Sequence, residues 1–319
     1  MKIGRRRRPS GLSRFAAALL AFGAAVSSSS ASGQRAPIPL YNGPAPGSES
    51  WVEERAEVRQ GSAVSVFNTS RPRYTLHLPS PQKASGAAIV MLPGGGLRML
   101  GMGAALDDEV DALVEEGVAV LVLEYRTLQT SPEEVARAVA PPPPLPADAP
   151  PRRFPRMAIV KGNANPAPGN EALSEVLRLA TADAQTALKL LNTRAAEWNL
   201  DPDRIGVMGT SAGGGVAFGT LLDRNAHDEA RPDFLISIYG PALQDVSTWD
   251  GAPPLFLAVE AEHGAVTDGL IEVFRIWNEA YQSAELHIYE VPNFTMTVDL
   301  WGPRLFDWMR DRGITPPRQ

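Results

Sequence analysis

Short apolar runs at positions 87–92, 118–123, 204–208, 234–239, 255–259 and 285–289 punctuate the chain. Their residues do not alternate with polar ones, so they read as strands buried on both faces. Between them, Leu106, Val110, Leu113 and Val114 recur at helical spacing and stop at Gly117. Residues 171–198, 270–281 and 301–312 extend the helical pattern, with Asp268 expected to cap the helix that begins at Leu270. Strands that alternate with helices predict an α/β domain with a mostly parallel central sheet and helices on both faces. Tyr74-Thr75-Leu76-His77-Leu78 alternates as a further strand would.

Other segments depart from this rhythm. Residues 36–51 are rich in Pro and Gly and are expected to wrap the surface. Residues 131–169 hold Pro141-Pro142-Pro143-Pro144-Leu145-Pro146, then Pro150, Pro151 and Pro155, which favours extended polyproline conformation. This insertion follows a strand on the side where α/β sites open; a rim or lid and a plain surface insertion are both open readings. At the start, Lys2, Arg5-Arg6-Arg7-Arg8 and Arg14 precede an apolar stretch at 15–26 and small residues up to Ala31. That order is the pattern of an export signal over residues 1–31, by the general or the twin-arginine route. Residues 32–319 then form one domain in a secreted or periplasmic protein, with no integral membrane segment.

Charge narrows the partners. Residues 1–31 hold six of the 30 Lys and Arg and none of the 36 Asp and Glu, so their removal takes the net charge from −6 to −12. A chain that acidic is not expected to bind nucleic acid. There is no cysteine, which excludes disulfides and thiolate chemistry.

The chemistry sits in two glycine motifs. Gly209-Thr210-Ser211-Ala212-Gly213 follows an apolar run directly. It has the form of a nucleophile elbow, a strained strand-to-helix turn that presents a serine hydroxyl. Pro93-Gly94-Gly95-Gly96 follows the run ending at Leu92, and its unobstructed backbone N–H groups, together with that of Ala212, are suited to a developing oxyanion. The expected geometry is Ser211 at a sharp turn with Gly94, Gly95 and Gly96 facing it. No dinucleotide fingerprint, phosphate loop or zinc-type histidine pair is present, so no cofactor and no metal are expected.

With these motifs, Ile38-Pro39-Leu40-Tyr41, Ala45-Pro46-Gly47, Arg194-Ala195-Ala196-Glu197-Trp198, the stretch from Asp201 to Gly209, and Pro253-Pro254-Leu255-Phe256-Leu257 resemble secreted bacterial α/β-hydrolases related to acetyl xylan esterases, feruloyl esterases and dienelactone hydrolases. The resemblance spans about residues 37–315. It implies an α/β-hydrolase fold, an ester substrate on a small molecule or a polysaccharide, and a serine, histidine and acid at the site. Two of those positions are changed. Where such proteins carry Asp-Asp-x-x-Val, this chain reads Glu262-His263-Gly264-Ala265-Val266, which puts His263 at the acid position. Where they carry Gly-Gly-His-Gly-Phe-Gly, it reads Pro292-Asn293-Phe294-Thr295-Met296-Thr297, which puts Phe294 at the histidine position.

Phenylalanine accepts no proton, so the usual relay is broken. A rearranged one is open, in which His263 serves Ser211 from an exposed place near the pocket mouth and Glu262 or Glu260 orients its ring. His77 and His287 fall on strands and His227 in a polar stretch, away from this chemistry. Two function classes follow: a carboxylic ester hydrolase using Ser211, and a silent relative that keeps the pocket to bind a ligand or partner.

Overall fold

The apolar runs become the strands of one eight-stranded sheet, and their burial shows why they lack polar alternation. A computed structural model describes residues 36–140, 154–291 and 296–317. In chain order the elements are β1 (Ile38–Pro39), β2 (Ala56–Gln60), β3 (Ala63–Phe67), β4 (Arg73–His77), β5 (Ala88–Leu92), β6 (Met99–Gly103), α1 (Ala104–Glu115), β7 (Ala119–Glu124), α2 (Pro132–Val139), α3 (Glu171–Thr193), α4 (Ala195–Trp198), β8 (Ile205–Thr210), α5 (Ala212–Leu222), β9 (Leu235–Ile238), β10 (Leu255–Glu260), α6 (Ala265–Glu279), β11 (Ala284–Tyr289) and α7 (Val298–Asp311). Every residue of β5, β7, β8, β9 and β10 is buried. The sixth run, β11, lies at the sheet edge and is only partly covered.

The strand order is β1-β4-β7-β5-β8-β9-β10-β11. Pairing is parallel from β7 to β11, and antiparallel where β4 meets β7 and β1 meets β4. The chain adds β7 on one side of β5 and then β8 on the other, so the order reverses between β5 and β8. A crevice opens beyond the carboxyl ends of strands at such a reversal. Register sharpens this, because Leu92 pairs with Gly209 and the two glycine motifs therefore leave the sheet side by side.

Alternation along each strand divides the core between two faces. Val90, Leu92, Val207 and Leu257 pack with α3, α5 and α6 through Leu188, Val216 and Trp277. Ile89, Met91, Met208 and Phe256 pack with α1 and α7 through Leu113, Trp301 and Met309. The α/β class, the mostly parallel sheet and the helices on both faces are as expected.

Several local expectations change. A second antiparallel sheet, β2-β3-β6, was not foreseen; Val64 and Val66 on its middle strand turn inward. The stretch 131–169 does not open as polyproline. It starts with α2, which carries a capping box between Ser131 and Glu134 and Pro132 in its first turn, where proline is tolerated. Asp268 is not the cap of α6; that helix starts at Ala265 after Gly264, and Asp268 lies in its first turn. Residues 1–31, where the export signal is expected, and Pro141 to Arg153 lie outside the described residues. No described helix is long and apolar enough to cross a membrane.

Arg126 and Asp183 bind the N-terminal segment to this frame, and both are fully buried. The guanidinium donates from Nε to Oδ2 at 2.9 Å and from Nη2 to Oδ1 at 2.7 Å. Its Nη1 donates to the Pro46 carbonyl at 2.5 Å, and the Tyr41 hydroxyl donates to Asp183 Oδ1 at 2.7 Å. Removing one partner of a buried pair leaves the other charge uncompensated. Asp183→Asn is therefore expected to cost about 3 kcal/mol, read as a lower urea midpoint with unchanged slope. An unchanged midpoint would show that the carbonyls around Arg126 suffice.

Candidate active site

Ser211 sits at the point where β8 turns into α5, with φ 49° and ψ −127°. A non-glycine residue there is strained and must be held by its surroundings. Close packing of the flanking glycines provides that hold. A Cβ on Gly213 would lie 2.1 Å from the Leu92 carbonyl oxygen, so only glycine lets α5 approach β5 this tightly. The Ser211 N–H is fixed to the Ile238 carbonyl at 3.2 Å.

The second glycine motif folds against this elbow. Gly94 abuts the serine, since a Cβ on it would lie 2.8 Å from Ser211 Cβ. Its N–H donates to Thr210 Oγ1 at 3.1 Å, and its carbonyl accepts from Gly101 N–H at 2.8 Å. The Tyr125 hydroxyl, buried below, donates to the Pro93 carbonyl at 2.5 Å. Gly95 is pinned at φ 140°, with the Met99 carbonyl where a Cβ would go. Among the described residues, the N–H groups of Gly95, Gly96 and Ala212 donate to nothing. Gly96 and Ala212 line the cavity beside Ser211; Gly94 and Gly95 shape the turn behind them.

That cavity measures about 270 Å³. Leu97, Leu173, Leu177, Leu243, Val266 and Phe154 supply most of its wall, with Asn165 as an amide and His263 as the titratable side chain. The segment around Asn165 is tied in place because Asn165 Nδ2 donates to the Leu243 carbonyl at 3.2 Å and Ala164 N–H to the Ala242 carbonyl at 2.9 Å.

His263 thus faces the same cavity as Ser211. Its side chain is only 13% exposed, which corrects the expectation of an exposed residue. Phe154 stacks on its ring at 4.2 Å between centroids, and Tyr239 lies 6.1 Å away on a near-parallel plane. Nδ1 lies 2.7 Å from Glu260 Oε2. A carboxylate oxygen accepts there from an Nδ1–H, and in the neutral ring that tautomer leaves the lone pair on Nε2. Of the two candidate acids the structure pairs Glu260 with the ring. Glu262 is exposed and makes no bond to it. Glu260, last residue of β10, is buried; its backbone carbonyl also accepts from Thr267 Oγ1 at 2.7 Å.

Ser211 Oγ has no hydrogen-bond partner among the described residues, so serine and imidazole share the cavity with no hydrogen bond between them. Phe294 lies outside the described residues. His287 pairs with Glu285 on the edge strand, where Arg304 also binds, and His227 is exposed. No group of His, Asp or Glu side chains among the described residues could hold a metal.

A family profile described as alpha/beta hydrolase fold matches residues 172–286. Acetylxylan esterase of Xylanibacter ruminicola is 26% identical over 159 residues, a match that spans 50% of this chain and 23% of that protein. The acetyl ester-xyloside bifunctional hydrolase of Caldicellulosiruptor lactoaceticus superposes with a TM-score of 0.53 at 18% identity, covering 88% of this chain and 97% of the other. Thermogutta terrifontis esterase 2, in a form phosphorylated by paraoxon, gives 0.52 at 16% identity over 82% and 98% of the two chains. At such identities the superpositions carry the fold alone. Fold, strand order and the sequence match agree: the chain is an α/β-hydrolase-fold protein related to acetylxylan esterase.

Proposed function

We propose that the chain is a serine-dependent carboxylic ester hydrolase in which His263, oriented by Glu260, takes the place of the usual base. The observation that carries this reading is the shared cavity: a strained serine and a carboxylate-bound imidazole open onto one apolar pocket, beside unengaged backbone N–H groups. Ser211 Oγ attacks the ester carbonyl carbon and its proton passes to His263 Nε2, directly or through one water. The oxyanion accepts hydrogen bonds from Gly96 and Ala212 N–H. Collapse breaks the bond to the alcohol oxygen, which leaves with the proton from His263. Water then attacks the acyl-serine carbonyl carbon and gives its proton to His263; collapse breaks the carbon–Oγ bond, releases the carboxylic acid and returns that proton to Ser211 Oγ.

Glu260 holds the imidazole in one tautomer and stabilises its charged form, the task of the acid in a triad. The cavity favours an uncharged acyl group of a small-molecule or polysaccharide ester, since the described residues of its wall include no lysine or arginine to meet a charged one. The chain matches less than a quarter of its esterase relative's length, so the alcohol side is not transferred from it.

Paraoxon tests the nucleophile without requiring turnover. Attack at phosphorus forms an Oγ–P bond and expels nitrophenolate, and the adduct is expected on the peptide containing Ser211 by mass spectrometry. Ser211→Ala should remain unlabelled. Absence of the adduct from well-folded protein at concentrations that label other serine esterases would sink the hydrolase reading in favour of a pocket that only binds.

A further inference from the structure

The proposed mechanism uses Ser211, His263 and Glu260, yet among the described residues the ring nearest to His263 belongs to Phe154, 109 positions earlier in the chain. Its contact is built rather than incidental. Phe154, Pro155 and Arg156 dock on the start of α6 in independent ways. The Pro155 carbonyl accepts from Ala265 N–H at 3.2 Å. Gly264, at φ 59°, lies so close that a Cβ would meet the Phe154 and Pro155 carbonyl oxygens at 2.7 Å. Arg156 Nη1 reaches Asp268 Oδ1 at 4.0 Å. The strap thereby holds the Phe154 ring on the imidazole at 4.2 Å and 22°, and Phe154 also lines the cavity with Ser211.

We propose that Phe154 is a positioning residue, which clamps the His263 imidazole by stacking on it and fixes the plane in which Nε2 meets the substrate. The proposal rests on the hydrolase reading. A hydrogen bond at Nδ1 fixes the position of one ring nitrogen but leaves the imidazole free to swing about that bond. A stacked aromatic face removes that freedom, and an angular error at a proton-transferring atom is costly. Phe154 is 44% exposed, far more than a core residue, so packing alone does not account for an aromatic side chain there.

The test compares Phe154→Leu, which keeps an apolar wall without the stack, with Phe154→Tyr, which restores an aromatic face. For a nitrophenyl acetate, Phe154→Leu is expected to lower kcat roughly 10- to 100-fold with KM within about threefold of wild type, and Phe154→Tyr to recover most of the loss. Proton NMR gives a readout independent of turnover: the His263 ring protons, assigned with His263→Gln, should be shifted upfield by the Phe154 ring current in wild type and return downfield in Phe154→Leu. Wild-type kcat in Phe154→Leu with the ring-current shift lost would overturn the positioning role alone. Absence of the shift in wild type would overturn the stack itself. An inactive wild type that paraoxon does not label would remove the hydrolase reading and this proposal with it.

Discussion

Replacing His263 with alanine is expected to reduce kcat for a small carboxylic ester by roughly 10³-fold or more, with little change in KM. The serine hydroxyl is a weak nucleophile until its proton has somewhere to go. His263 is the imidazole in the Ser211 cavity, and the nearby carboxylate of Glu260 is already committed to its Nδ1 at 2.7 Å. Ser211→Ala should fall to the same floor, and the double variant no further, because residues that act as one relay do not lose activity additively. What remains is what binding and the Gly96 and Ala212 N–H groups supply alone. Glu260→Gln should give a large loss too, since an amide can donate to Nδ1 and so favour the wrong tautomer. Steady-state rates of the four variants beside wild type decide the matter. A His263→Ala protein that keeps wild-type kcat would assign the proton to another group and end the role given to this residue.

The parts of this arrangement that local sequence encodes were legible. Continuous apolar runs gave β5, β7, β8, β9 and β10, and a glycine on each side of Ser211 placed the elbow before any contact was known. The capping box Ser131–Glu134 was equally written in the chain, but the prolines after it dominated the reading of that stretch. Between Glu260 and Glu262 the sequence could not choose, because the end of β10 decides which carboxylate is buried beneath the ring and which faces solvent. Phe154 was beyond reach, since its stack joins segments far apart in the chain and no spacing records it. The order of the strands, which brings Leu92 beside Gly209, likewise depends on crossovers rather than on any one segment.

Glu109, not singled out in the sequence, is a different case. It lies three residues after Leu106 and four before Leu113, on the stripe of α1 that faces the core, where a carboxylate is out of place. The structure buries it, 7% exposed, with no hydrogen-bond partner among the described residues. Burial first, and the neighbouring charge of Asp108 second, push its carboxyl from 4.5 up to about 8. Its charge, if formed, would also act on the Tyr239 hydroxyl, which burial and both Glu109 and Glu260 already hold up.

This burial makes stability depend on pH in a stated direction. Below 4.5 the carboxyl is protonated in both folded and unfolded chains, and burial costs no ionisation. Between 4.5 and about 8 the unfolded chain releases the proton while the fold retains it, so stability falls as pH rises. Above about 8 both states are ionised and the loss stops growing. At about 1.4 kcal/mol for each pH unit, the window removes roughly 5 kcal/mol. Glu109→Gln has no proton to lose, so it should lack this loss, while the smaller one from Asp233, whose carboxyl burial pushes up to about 6, remains in both proteins. The variant should match or fall slightly below wild type near pH 4.5, where a buried amide replaces a buried acid, and exceed it by several kcal/mol at pH 9. Urea unfolding at both pH values measures this as a wild-type midpoint that drops further than the variant's, with equal slopes. Parallel midpoints for the two proteins would mean that Glu109 ionises normally in the fold, through water or a rearranged neighbour.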